Sequence, residues 1–283
     1  MDNFLNNFFS FVETYIKKNY PKVKINFINI DKASSFNYEE NESPLHNCVI
    51  YLNKKLLNSV KEDSNLLEIG CGATSILLSN EKNRFSRIDG LDIHEKDFRG
   101  RDTLANIIGS VSKIPIRSNF YDFCISNQSI EHWFEYNVSI SQGISEISRV
   151  IKKDKGKMFI NFPLFLHGKR EFLQGNIELI LGEISKYLSI RKITFVHSGS
   201  RRYKGWKKCG QSLYRVKKHV ENNGIKGSPE SIICEIMAVK TFESEKLIVN
   251  KMFSLIRFIN LYSDHTLPEL AIKIINKIKN IKK

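Results

Sequence analysis

The chain has 283 residues, 41% of them hydrophobic and 26% charged, the proportions of an ordinary folded protein rather than a disordered, collagen-like or disulfide-scaffold chain. A chain of this length buries about three quarters of its unfolded surface, so a sizeable core is available. Lys plus Arg, 44, against Asp plus Glu, 30, gives a formal +14; this favours polyanions such as nucleic acid, phosphorylated sugars or acidic headgroups, although much of the excess is lysine scattered through Asn- and Ile-rich stretches such as 276–283.

Residues 1–20 carry Asp2 and Glu13 and lack a cationic start before an apolar run, so they do not read as a secretory signal. Phe4, Leu5, Phe8, Phe9, Val12, Tyr15 and Ile16 recur at helical spacing. Lys24 to Ile30 alternates apolar and polar residues, and 31–44 is polar and turn-rich. Residues 1–60 are therefore read as an N-terminal helical and extended appendage. No run of about 18 apolar residues occurs, which removes a transmembrane helix. Five cysteines, the nearest pair 23 residues apart, match neither zinc-ligand spacing nor a redox pair and suit a reducing, cytoplasmic compartment.

From residue 61 short apolar strands alternate with helices: 65–69, 87–93, 106–111, 121–126 and 157–163 are the predicted strands. That alternation predicts an α/β domain over 61–243, a mostly parallel sheet covered on both faces. Residues 191–197 and 231–241 are a candidate closing pair of strands around a basic, aromatic insertion at 198–227, too long for an idle connection. A helical tail follows over 244–283, its end carrying Ile272, Ile275, Ile278 and Ile281 opposite lysines.

Leu66 to Ile69 is an apolar strand holding the acidic Glu68, followed by Gly70-Cys71-Gly72 and the helical run 76–80. Gly70 permits a sharp turn, and Gly72, with no Cβ, lets backbone approach a ligand. About twenty residues on, a second strand ends in Asp92, where a carboxylate can accept hydrogen bonds from ribose hydroxyls. Ser75 replaces the third glycine of the dinucleotide fingerprint, so nothing here prepares a pyrophosphate cradle.

Four segments in this order resemble the class I S-adenosylmethionine-dependent methyltransferases, especially their small-molecule branch: 67–72, 90–93, 114–132 and 146–158. The resemblance is firm over about 60–165. It implies a Rossmann-like seven-stranded sheet with S-adenosyl-L-methionine over the carboxyl ends of the first strands. Carried over, Glu68 lies under the methionine end, Gly70 and Gly72 pack on the cofactor backbone, Asp92 holds the ribose, Ile93 flanks the adenine, and Asn127 and Gln128 face the sulfonium and the methyl acceptor. Thr74 stands at the family's third glycine and Ser110 at its adenine-contacting acid, two departures that bear on cofactor binding.

The implied activity is methyl transfer to a small molecule or glycan precursor, with O-methylation of a hydroxyl ahead of N-methylation. His132 has a near-neutral unperturbed pKa suited to a general base, and equally reads as a histidine packing its loop. Glu131 beside it is expected to be a solvent or capping group. His167, after the fifth strand, is a second candidate base. Arg201, Arg202, Tyr203 and Trp206 in the insertion suit a phosphorylated sugar, with aromatic stacking beside cationic pairing, and this region is loosely similar to methyltransferases of surface-polysaccharide biosynthesis. The partner is thus a small-molecule or sugar-nucleotide substrate. Two alternatives stand beside it: a nucleic-acid methyltransferase, suggested by the charge, and a non-catalytic protein binding a partner or an anionic membrane surface through 270–283. No metal site is predicted, the remaining histidines lacking paired spacing with acids or cysteines.

Overall fold

The computed structural model describes residues 3–33, 44–80, 84–97, 99–164, 177–197 and 232–241. The second candidate base, His167, the insertion residues Arg201, Arg202, Tyr203 and Trp206, and the tail 244–283 lie outside the described residues.

Eight strands form one sheet in the order β1-β7-β8-β6-β5-β2-β3-β4. In chain order they are β1 (Lys24–Asn29), β2 (Asn65–Ile69), β3 (Arg87–Asp92), β4 (Ile107–Ile108), β5 (Phe123–Asn127), β6 (Lys157–Pro163), β7 (Ser189–His197) and β8 (Ile233–Val239). Neighbours run parallel except β8, which is antiparallel to both β6 and β7. The central strands are nearly continuous apolar runs because helices cover both faces: in β2 the four residues from Leu66 onward are all buried.

The helices are α1 (Asn3–Asn19), α2 (Pro44–Leu57), α3 (Ile76–Asn80), α4 (Ile140–Val150) and α5 (Ile177–Ser185). On one face Leu67, Ile69, Cys124, Met158 and Ile160 join Val12 and Ile16 of α1, Ile144 and Ile147 of α4 and Ile180 and Ile184 of α5 in the largest apolar cluster. On the other, Leu66 and Ile125 pack with Leu56 of α2 and Leu77 of α3, while Val196 and Ile233 pack with Cys48 and Leu52 of α2. Helix α4 begins at a capping box, in which the Ser139 hydroxyl accepts from the Gln142 backbone N–H and the Gln142 side chain accepts from that of Ser139, satisfying two otherwise orphaned donors.

The sheet departs from the sequence expectation in three ways. It has eight strands rather than seven, because the alternating segment 24–29 pairs in parallel with β7 as an outer strand. Much of the segment read as an appendage is thereby built into the sheet and its helical layers. The strand expected over 106–111 shrinks to two residues. Its neighbours make irregular bonds instead: Asn106 accepts from the Gly90 N–H through its side chain, and the Gly109 N–H donates to the Asp92 carbonyl at 2.8 Å. The strand expected over 121–126 starts two residues later and ends one later, over 123–127.

Candidate active site

Beyond the carboxyl ends of β2, β3 and β5 lies a hollow of about 510 Å³, within the ~300–1,000 Å³ range of small-molecule sites. Its floor is the glycine loop after β2, one side is the turn after β3, and the other is the segment after β5 with the 3-10 helix Ile130–Tyr136.

Gly70 and Gly72 both have positive φ, +67° and +57°, but they serve different ends. A Cβ on Gly70 would overlap the side chain of Ser129, whereas one on Gly72 meets nothing within 4 Å. Gly70 thus lets two strand ends close together, and Gly72 presents bare backbone to open space at the hollow. The carboxylate of Asp92 ties these pieces into a unit. Its Oδ2 accepts from the Gly72 N–H at 2.9 Å and its Oδ1 from the Ile93 N–H at 2.8 Å. Oδ1 also accepts from the His94 N–H at 3.4 Å; an ionised carboxylate has about four acceptor positions, so Oδ2 keeps capacity for a ligand hydroxyl.

Glu68 and Asp92, expected to converge on one hollow, do not meet there. Asp92 lines it; Glu68 does not. Glu68 is 3% exposed beneath the floor, accepting hydrogen bonds from the Ser75 hydroxyl and, at 3.0 Å, from Asn127 Nδ2. Burial pushes its carboxyl up to about 7, against the lowering effect of those two bonds. Asn127, also off the lining, accepts in turn from Asn161 Nδ2 at 2.6 Å. Ser75 meanwhile accepts from the Leu78 N–H at 3.0 Å at the start of α3. Glu68 therefore acts through others, fixing the loop and the end of β5 from below.

Ile93, Ser110, Gln128 and His132 do line the hollow. Gln128 has left-handed backbone, φ +49°, held by a 2.9 Å bond from its N–H to the Asn161 carbonyl; its buried Nε2 has no hydrogen-bond partner. His132 stands on the wall with Nδ1 2.8 Å from the Glu135 carboxylate, which orients the ring. The Ser110 hydroxyl lies 2.9 Å from that of Ser112. Glu131 corrects its expectation: it neither reaches solvent nor caps the helix. It is 1% exposed, neither carboxyl oxygen has a partner, and burial pushes it up to about 8. The cause is the tight 3-10 geometry, three residues per turn, which sets His132 toward the hollow and the preceding Glu131 on another side of a helix packed against β6.

Several positioning residues escaped the sequence reading. Ser129 accepts from Trp133 Nε1 at 3.3 Å, lies 2.7 Å from the Ser126 hydroxyl, and fills the space a Gly70 side chain would need. Trp133 forms wall and packs its ring on Gly143 of α4. Asp89, 2% exposed in β3, would be raised by burial, yet bonds from Tyr121 Oη at 2.6 Å, Asn106 Nδ2 at 2.7 Å and Arg87 hold its carboxyl below the usual range. An acid in the middle of an apolar strand was the available signal for this last group. Among the described residues no group of three or more His, Cys, Asp and Glu is placed to hold a metal ion.

Residues 67–160 match a family model described as "Methyltransferase domain". The match covers about a third of the chain. The matched residues run from the middle of β2 to the middle of β6 and so hold the whole described lining of the hollow. No curated protein matches the sequence. Among solved structures the chain is similar to the YcgJ protein of Bacillus subtilis at 13% identity and a TM-score of 0.46, over 70% of this chain and 100% of that one. It is also similar to phosphoethanolamine N-methyltransferase 2 of Haemonchus contortus, whose structure is a complex with S-adenosyl-L-methionine, at 18% identity and a TM-score of 0.44, over 68% of this chain and 52% of that one. It thus spans about half the length of the latter protein. No helix among the described residues is long and apolar enough to cross a membrane.

Proposed function

We propose that this protein is an S-adenosyl-L-methionine-dependent methyltransferase that transfers a methyl group to a hydroxyl of a small molecule or glycan precursor, in the hollow above the ends of β2, β3 and β5. S-adenosyl-L-methionine, when bound, supplies a methyl carbon already activated by positively charged sulfur. The protein's share is alignment and exclusion of water, and the residues around the hollow suit that task. Asp92 takes a ribose hydroxyl on the remaining acceptor position of Oδ2, Gly72 gives a ligand close access to backbone, and Ile93 offers an apolar side to the adenine. Ser110 stands in place of an acid at the adenine edge and provides a hydroxyl there. Gln128 directs an amide N–H donor with no protein partner toward the methyl-transfer end. His132, oriented by Glu135, takes the acceptor's proton. Glu68 and Asn127 hold these groups in register without reaching the hollow.

The observation that carries the reading is the coupling of Asp92 to the Gly72 N–H at 2.9 Å, on a hollow where Gly72 faces open space. Calorimetry with S-adenosylhomocysteine tests the cofactor site, and transfer of labelled methyl from S-adenosylmethionine to a panel of sugar nucleotides tests the acceptor class. Binding and transfer that are both lost in Asp92→Ala support the proposal; absence of S-adenosylhomocysteine binding at high concentration overturns it. Participation in surface-polysaccharide synthesis in the cytoplasm follows as part of the same proposal, with a sugar nucleotide as acceptor.

A further inference from the structure

The two sides of the hollow touch each other at its mouth. His94 follows the last residue of β3 by two positions, Tyr136 ends the 3-10 helix after β5, and their rings meet edge to face with centroids 5.5 Å apart. In the sheet β2 lies between β3 and β5. Paired strands are about 4.8 Å apart, so the roots of these two segments are separated by roughly 10 Å, and the ring contact spans the end of β2, where the glycine loop forms the floor. Both side chains line the hollow and both are exposed, Tyr136 by 42%. The contact is therefore reached from solvent, and a ligand of nucleoside size resting on the floor would lie beneath it.

The partners in this contact are held differently. His94 belongs to a braced hairpin: its carbonyl accepts from the Thr103 hydroxyl at 3.1 Å, the Thr103 N–H donates to the Glu95 carbonyl at 2.8 Å, and Arg101 Nε donates to Asp97 at 2.8 Å. The Leu104 N–H then donates to the Gly72 carbonyl at 2.8 Å, which fastens the hairpin to the floor. Tyr136 stands at the end of its helix, before the left-handed Asn137, φ +58°. Exposed side chains change rotamer far faster than packed elements move, so the contact can part by rotation of the Tyr136 side chain alone. We infer that Tyr136 and His94 form a strap across the hollow, which Tyr136 opens to admit or release the cofactor and closes to hold it during methyl transfer. Both are positioning residues. This rests on the methyltransferase reading above and adds control of cofactor exchange to it. A closed mouth serves the reaction, since alignment and exclusion of water are the protein's share of it.

Stopped-flow fluorescence of the full chain mixed with S-adenosylhomocysteine tests this, with Trp133 in the wall as the reporter. In Tyr136→Ala the association and dissociation rate constants should both rise by about twofold to tenfold, the range by which an edge-to-face ring pair favours the closed over the open arrangement. His94→Ala should have the same effect from the opposite side. The double variant should rise no further, because either change alone removes the contact, and Tyr136→Phe, which keeps the ring, should restore the wild-type rates. Faster dissociation with unchanged association would make Tyr136 a ligand contact only and overturn the strap. Additive effects of the two alanine variants, or unchanged rates in both, would overturn it as well. Absence of S-adenosylhomocysteine binding by the wild type would overturn the methyltransferase reading and the strap with it, whereas wild-type binding with unaltered rates in the variants removes the strap alone.

Discussion

Asp92 Oδ2 accepts the backbone N–H of Gly72 at 2.9 Å, so the acid that ends β3 also closes the loop that follows β2. One side chain thereby shapes the floor of the hollow and lines it. Asp92→Ala removes both functions. Affinity for S-adenosylhomocysteine should fall by about 1.5–3 kcal/mol, the range for hydrogen bonds to a charged group, as read by calorimetry. Asp92→Asn, which keeps one acceptor oxygen, should lose less.

The two loop glycines should respond differently to alanine. At Gly70 the new methyl would overlap Ser129, adding a clash to the ~1–2 kcal/mol cost of a left-handed L-residue. Gly70→Ala should therefore unfold at clearly lower denaturant than Gly72→Ala. At Gly72 the methyl enters open space, so stability drops only by the conformational cost, and the larger effect should be weakened S-adenosylhomocysteine binding. Parallel urea melts and calorimetry check both; equal stability losses would contradict the geometry.

Trp133 holds its place because Gly143 lacks a side chain. A Cβ at 143 would overlap the Trp133 ring, and overpacking of this kind costs about 1–3 kcal/mol. Gly143→Ala should lower the melting temperature and shift the ring, which donates to Ser129 at the loop. Tryptophan fluorescence, followed with and without S-adenosylhomocysteine, would report a displaced indole and weaker binding together.

Stability should fall as pH rises through the weakly acidic range. Glu68 has its folded carboxyl pushed up to about 7 from 4.5, so between those values the folded state holds a proton that the unfolded state has released. Folding then binds protons, and raising the pH opposes it. The contribution changes from pH 4.5 upward and is complete above about 7. Glu131, pushed up to about 8, extends the decline by a further pH unit. Melting temperatures measured across pH 5 to 8 should slope downward, less steeply in Glu68→Gln and in Glu131→Gln; an unchanged slope in both would remove these two acids as its source.

The site was legible in part. Gly70, Gly72, Asp92, Ile93, Gln128 and His132 all stand at the hollow, because each belongs to a strand end or a turn whose composition marks it. Glu68, expected under the methionine end of the cofactor, lies beneath the floor of the hollow and off its lining, since alternation along a strand gives the face of the sheet but not the depth under a loop that folds back. Asn127 shares that fate. Glu131 shows the same limit in a helix: one residue decides between the hollow and the interior, and only the 3-10 turn distinguishes it from His132.

By itself the sequence determined the class of fold, through apolar strands spaced by helices, and the presence of a nucleoside-sized site, through an acid, two glycines and a second acid in fixed order. These are local properties, written in a dozen neighbouring residues. Tertiary structure alone decided that residues 24–29 extend the sheet as an eighth strand, that β4 keeps only two residues beside an Asn106 side chain bonded to Gly90 and Asp89, and that Ser129, Trp133 and Gly143 pack together. Such outcomes depend on contacts between residues far apart in the chain, where hydrogen-bond partners and packing space exist only after the sheet has assembled.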